Sequence, residues 1–453
     1  MSTDKKFFIL VTILAVACSI FVGMNMVQHP RLRRVEVDSV QVVRQPNERL
    51  VLYVNQPIAD IAKSQITIEP AAKFTASATG EAIVVQLQER LNYNTRYQIT
   101  IRNVTSLYQK GKTSRLTYSF KTADPVLYYI KRNYDDHADV IVRTSLYSEG
   151  RDTVFSAERI QEYAIVGNNL VVATINEDDT NSLYLVNQKS KSIEQLTLPD
   201  HGVVDKLQAS PNQRLVGFSF TSSKKTGEHS YENILFNIDF VGSRLVSQVY
   251  GLNNKPLQVM DWRFAPDGTT ILAQLYDTNL LLVDTNMKHE PVPVGRYITI
   301  GNFSYNGAQV SANDGTGPHA VDVLKQTKTR IKSPELAGAQ SFPQSSWLLA
   351  NSQGYILRYE TFGSGTAVTD HLVLRNGGKD KEVYKADTSQ LILNGYAGSP
   401  NDQVATVEVS DLHNAKQDGY ATNSMPVNVY TLLIDTRIGF TTKIIDGFSV
   451  EWQ

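Results

Sequence analysis

Residues 264–275 read FAPDGTTILAQL: a tight turn at Ala265-Pro266-Asp267-Gly268, then a short apolar run. Pro, Asp and Gly mark the turn, and the run after it has the length of a strand rather than a helix. The same signature recurs as ASPNQRLVGFSF (209–220), FSYNGAQVSAND (303–314) and GSPNDQVATVEV (398–409). Two weaker copies are Gly167-Asn168-Asn169 before LVVATI and Gln344-Ser345-Ser346 before WLLANS. Most copies continue into a further strand, LYLVN, ILFNID, LLLVD, AVDVL or YTLLID, several ending at Asn187, Asp239, Asp284 or Asp435. The copies stand roughly 40–55 residues apart, the period of a four-stranded propeller blade. The repeated Asn and Asp positions read as turn residues.

Six such blades fit between about 158 and 447. The chain then finishes on FSVEWQ (448–453), which matches the VMDWRF strand before the Pro266 turn, Trp452 standing where Trp262 does. VLYYIKR, ADVIVRTS and DTVFS, residues 126–156, are three strands with no such first strand of their own. FSVEW completes their blade, which closes the ring and removes both sheet edges. The expectation is a seven-bladed β-propeller over 124–453, with six blades as the alternative. Its Ser-Pro-Asn and Ala-Pro-Asp-Gly turns resemble the repeats of TolB-type and dipeptidyl-peptidase-type propellers; the WD dipeptide of WD-repeat proteins is absent.

Ahead of the repeats, residues 35–123 hold VEVDSVQVV, RLVLYVN, QITIEP, EAIVVQLQ, RYQITI and LTYSF, short runs separated by turn formers. This is the pattern of an antiparallel sandwich. Tyr97, Ile99 and Ile101 share one strand face and read as core, and Asn94-Thr95 as a turn shaped by side-chain hydrogen bonds. LVLYVNQPI (50–58), ITIEP (66–70), LNYNTRYQITI (91–101) and YSFKTAD (118–124) resemble, in that order, the bacterial Ig-like domains of surface proteins. That resemblance implies a spacer or adhesion module and no catalytic residues.

Residues 1–6 are a short tail, and FFILVTILAVACSIFVGMNMV (7–27) is uncharged. At 1.5 Å per residue it is about 31 Å long, which matches a bilayer's hydrocarbon core. The expectation is a single-pass anchor, with a linker over 28–34 and the C-terminal domains outside the cytoplasm. Ala15-Val16-Ala17-Cys18 also reads as a loose lipobox, with a lipoprotein acylated at Cys18 as the alternative. Cys18 is the chain's single cysteine, so the rest contains no disulfide.

The chain has 44 basic and 45 acidic residues, a balance that gives no reason to expect a nucleic-acid partner. G-x-S-x-G, H-E-x-x-H and P-loop motifs are absent. Asp135-Asp136-His137 and Glu177-Asp178-Asp179 read as solvated turns rather than metal sites, and Trp262, Trp347 and Trp452 as inter-blade core rather than a sugar platform. No cofactor and no catalytic set is expected. Two polar insertions, 221–231 and 411–426, carry the candidate binding residues Lys224, Lys225, His229, His413, Lys416 and Tyr420, because binding concentrates in loops on rigid scaffolds. The reading is a membrane-anchored, non-enzymatic surface protein that binds a protein or envelope polymer. The alternatives are a hydrolase or lyase working at the central channel and a TolB-like envelope assembly factor.

Overall fold

The computed structural model describes residues 7–8, 10–17, 19, 29–108, 113–132, 138–147, 150–223, 230–242, 244–304, 306–334, 340–349, 354–362, 368–387, 390–393, 397–411, 417 and 425–453. It divides into two units, Met1–Asp124 and Pro125–Gln453. Near the amino terminus Phe7, Phe8, residues 10–17 and Ser19 are helical. Among the described residues no helix is long and apolar enough to cross a membrane. The span expected over 7–27 is thus not carried by these residues; Cys18 and residues 20–28 lie outside them.

In the first unit, alternation of apolar and polar residues builds two antiparallel sheets. One orders its strands Leu32–Glu36, Arg49–Val54, Ala82–Leu87 and Phe74–Thr79; the other Ile66–Glu69, Arg96–Thr105 and Thr113–Lys121. Leu50, Leu52, Ile83 and Val85 from the first sheet and Tyr97, Ile99 and Ile101 from the second belong to one buried core. The unit is therefore a β-sandwich.

Three details depart from expectation. VEVDSVQVV is not one strand: the Asp38 carboxylate accepts the N–H groups of Val40 and Gln41, and Gln41–Arg44 forms a helical turn. Phe74–Thr79 is a strand that its small polar residues disguise. The turn before Tyr97 has the expected side-chain bond at Thr95, whose hydroxyl donates to the Tyr93 carbonyl at 2.7 Å, but it is also held from elsewhere: the Thr122 hydroxyl donates to the Asn92 carbonyl at 2.7 Å and accepts the Thr95 N–H at 2.9 Å. Asn94 contributes a left-handed backbone (φ 48°) and not a side-chain bond, its buried Oδ1 lacking a donor.

The second unit forms, among the described residues, seven sheets, six of four strands and a seventh of five. Blade 1 runs outward from Phe448–Trp452 through Val126–Lys131, Asp139–Ser145 and Arg151–Ala157. Blades 2 to 6 begin at inner strands Ile160–Val166, Gly202–Ala209, Asp261–Phe264, Thr299–Phe303 and Gln340–Leu348, each followed outward by three strands in chain order. Blade 7 has an interrupted inner edge, Gln390–Ile392 and Ala397–Gly398, both paired to Val404–Asp411.

Each blade is apolar on both faces because it is packed between two others. LVGFSF of blade 3 is buried at every position, and a distinct apolar cluster fills each junction around the ring. Phe155 and Tyr128 meet Leu170 and Val172 between blades 1 and 2, and Leu127 and Val142 meet Val404 and Leu433 between blades 7 and 1. The other five junctions are filled likewise. Seven sheets joined by seven interfacial cores, the last returning to the first, are the pattern of a closed β-propeller. Gln344-Ser345-Ser346 is a correction: it lies inside the inner strand of blade 6 and not at a turn. The register shifts there, between Pro343 and Ser345, and that irregularity gives the segment its turn-like sequence.

Candidate functional site

The inner strands of a propeller surround its axis, and their side chains alternate between the blade core and the channel. In blade 4, Trp262 and Phe264 turn inward while Asp261 and Arg263 face the channel. Five blades contribute to a cavity of about 630 Å³ there. Its charged lining comprises Glu162 of blade 2, Asp205 and Lys206 of blade 3, Asp261 and Arg263 of blade 4, Glu408 of blade 7 and Glu451 of blade 1. Glu408 lies on a second strand and lines the cavity beside the interrupted inner edge of blade 7.

Local irregularities aim these groups. The inner strands of blades 1, 2 and 3 each shift register beside a cavity residue: between Phe448 and Glu451, between Ile160 and Glu162, and between Asp205 and Gln208. Lys206 and Ser449 both adopt left-handed backbone, each at φ 53°. Such bulges swing a side chain off the alternating pattern and leave backbone N–H groups for other acceptors. Glu162 accepts the freed Leu207 N–H at 2.6 Å, and Glu408 the Ser449 N–H at 2.6 Å. The Tyr163 hydroxyl donates to the Ser449 carbonyl at 2.7 Å and ties blade 2 to blade 1.

The electrostatics follow from enclosure. Burial pushes the Glu162 carboxyl up to about 7 against the Leu207 hydrogen bond, and the Asp205 charge adds to it. Burial pushes Glu451 up to about 8, with the Glu162 charge adding to the effect. Burial lowers Arg263 to about 10, which leaves it charged at neutral pH. Its guanidinium lies 3.1 Å from the Asp261 carboxylate, which the Lys206 amine also contacts; burial, with the Arg263 charge adding to it, lowers Lys206 well below its ordinary value. The cavity therefore holds the Arg263–Asp261 ion pair with Lys206 against it, and two glutamates, of which Glu162 adjoins Lys206, whose carboxyls are raised towards neutrality. Such a wall can bind polar or charged groups, and the two glutamates can take up or release a proton.

The candidates named from sequence are placed as follows. Lys224, Lys225, His229, His413, Lys416 and Tyr420 lie outside the described residues, as do Asp135, Asp136 and His137. Glu177-Asp178-Asp179 is a turn in which Asp178 accepts the Thr180 hydroxyl at 2.6 Å and Asp179 pairs with Arg159. No group of three or more His, Cys, Asp or Glu among the described residues could hold a metal ion. Trp262 is fully buried over blade 3 and belongs to the core between blades 3 and 4. The channel residues were missed, although a signal existed. The alignment that matches Trp452 with Trp262 also matches Glu451 with Asp261, charged residues beside the core tryptophans of inner strands.

No family model matches this chain, and no curated protein matches it. Solved structures do resemble it. An oligogalacturonate lyase in complex with manganese is 12% identical with a TM-score of 0.44, the match covering 70% of this chain and 83% of that one. A protein of Bacteroides fragilis assigned as a 6-phosphogluconolactonase is 11% identical with a TM-score of 0.42, covering 73% and 98%. A protein of Agrobacterium tumefaciens assigned as TolB is 13% identical with a TM-score of 0.33, covering 58% and 88%. These likenesses are distant; the assignment of a propeller rests on the seven sheets and their closure.

Proposed function

We propose that this is a membrane-tethered binding protein: an amino-terminal anchor over 7–27, an Ig-like spacer, and a propeller whose channel cavity receives a polar segment of a protein or envelope polymer outside the cytoplasm. The cavity carries the reading. Five blades converge on it, and it presents carboxylates and cations together, the lining expected where a polar partner is gripped by several charge-assisted hydrogen bonds. The tether is supported by Phe7, Phe8, Leu10 and Leu14, all exposed on the helical segment although strongly apolar.

A photoreactive residue at Met260, which lines the cavity, tests the binding role in cells. The expected result is a cross-linked species of one defined mass, lost in Asp261→Lys. The same label at Thr327, on an outer strand, should give none. Equal labelling from both positions would remove the channel from consideration.

One observation favours a second reading, a hydrolase or lyase. Glu162 and Glu451, pushed towards 7 and 8, can act as a general acid and a general base at neutral pH. Turnover of a supplied polymer that vanishes in Glu162→Gln while the Met260 cross-link persists would favour catalysis over binding.

A further inference from the structure

In the first unit both sheets end, on one side, in a strand with a single neighbour. Leu32–Glu36 is an edge of the four-stranded sheet and Thr113–Lys121 an edge of the three-stranded one. Just past their ends the Ala123 N–H donates to the Ser39 carbonyl. At their starts, residues 29–32 and 113–117 together line a groove of about 470 Å³. The two strands therefore run side by side in the same direction, joined at one end and parted at the other. Alternate residues of an edge strand turn their N–H and C=O groups away from the neighbouring strand. Among the described residues, Thr113–Lys121 makes no backbone hydrogen bond on that outer side. Stacked sheets lie about 10 Å apart and paired strands about 4.8 Å. One extended segment between the parted edges is thus within pairing distance of both.

The charges around the groove have one sign. Arg31 and Arg115 line it, and none of its described lining residues is a carboxylate. Along the two strands Arg33, Arg34 and Lys121 add to them, against Glu36 as the one acid, which pairs with Arg34 at 2.7 Å. Asp38 and Asp124 lie past the joined end, where Asp38 accepts the N–H groups of Val40 and Gln41. Arg31, Arg33, Arg115 and Lys121 are exposed and have no ion pair among the described residues. Charges on an open edge deter chance pairing, and here they also discriminate. The Thr113–Lys121 strand of a second copy would bring Arg115 and Lys121 against the same cations. A strand carrying carboxylates would meet them with charge-assisted hydrogen bonds.

From these facing edges we infer that the groove takes an extended acidic segment of a partner protein, added as a strand along residues 113–117 with its carboxylates on Arg31 and Arg115. Main-chain bonds supply affinity in such an addition, and the alternate side chains supply selection. A lipid phosphate would meet the arginines but leave both rows of backbone groups unused. The inference gives a binding role to the unit proposed above as a spacer, and it rests on neither the channel nor the tether.

The test uses the full chain with Cys18→Ser and Thr113→Cys, which sets one thiol at the open end of the groove. Three probe peptides each carry a terminal cysteine: alternating glutamate and valine, the same with lysine for glutamate, and the glutamate peptide N-methylated at each core amide. Disulfide exchange in a redox buffer holds each peptide at an effective concentration on the order of millimolar, and the conjugated fraction reads its binding. The acidic peptide is expected to conjugate roughly tenfold better than either of the others. With Arg31→Glu and Arg115→Glu together, the lysine peptide should overtake it, an exchange of preference that a misfolded chain would not show. Equal conjugation of the two charged peptides overturns the inference. So does a thiol-linked dimer that forms in preference to any conjugate, which gives the groove to a second copy. If N-methylation has no effect and short-chain phosphatidylglycerol displaces the acidic peptide, the arginines hold a headgroup phosphate and no strand is added.

Discussion

Trp452 pairs in register with Leu127, the second residue of the propeller's first strand. One blade is therefore built from both ends of the unit, and the ring has no free edge. Phe448 anchors this closure: it is buried in the core between blades 1 and 2, and the Arg132 guanidinium lies 4.7 Å above its ring. Truncating a buried aromatic removes its transfer free energy and leaves a cavity, so Phe448→Ala is expected to cost about 3–5 kcal/mol. Equilibrium denaturation of the full chain measures it. Because the closing strand holds blade 1, the variant should also lose cooperativity, with blade 1 exchanging its amide protons first. A cost below about 1 kcal/mol would mean that the closing strand contributes little to stability.

Gly217 of blade 3 lies directly against Trp262 of blade 4, and a Cβ there would stand 2.6 Å from the edge of the indole. Trp262 is fully buried, between blade 3 residues Leu215 and Leu235 and its own neighbour Phe264, so its ring has little room to move. Gly217→Ala should therefore destabilise by about 1–3 kcal/mol through overpacking. Combining it with Trp262→Phe, which withdraws the clashing ring edge, should cost less than the sum of the two single changes. Additive effects of the two changes in denaturant titration would argue against this contact.

The propeller was legible where its signals are local. Asp267 accepts the N–H groups of Thr269 and Thr270, each at 2.8 Å, and the Thr270 hydroxyl at 2.6 Å. Asn187, Asp239 and Asp284 make the same kind of bond to the residues just after them. Such bonds span two or three residues, so a sequence read in short windows contains them. Burial raises the Asp267 carboxyl, but the bonds from Thr270 and Thr269 outweigh it and the net direction is down. A lowered carboxyl contributes stability above its unfolded value, and that contribution is lost as pH falls through the folded one. Asp267→Ala should cost about 1 kcal/mol at pH 7 and progressively less below pH 4. A pH-independent difference would assign the loss to packing.

The channel was not legible. Glu162, Lys206 and Glu451 come from three blades, and each reads as an ordinary polar position on a strand with mixed patterning. Two non-local features bring them together. One is the bulges at Lys206 and Ser449, which no local residue type demands. The other is the ring closure, which sets Glu451 beside Glu162 across nearly 300 residues. The insertions drew attention because length and polarity are local properties.

Glu451 and Glu162 supply the pH dependence that distinguishes this cavity from an ordinary polar surface. Both fold with their carboxyls raised from 4.5, to about 8 and about 7, chiefly by burial. A raised carboxyl favours the protonated form in the native state. Folding therefore carries no penalty from these groups below about pH 4.5, a growing one between pH 4.5 and 8, and a constant one above. Stability of the propeller should decline across that window. Glu451→Gln keeps the shape and removes the charge, so it should match the wild type at pH 4 and exceed it at pH 8 by about 2 °C in Tm. Glu162→Gln should act in the same direction. Because each charge raises the other's cost, the double variant should gain less than the sum of the singles. Thermal unfolding of the four proteins from pH 4 to 9 decides it. If the wild-type and variant curves run parallel, the two carboxyls are solvated as ordinary surface groups, and the cavity loses its claim to a proton.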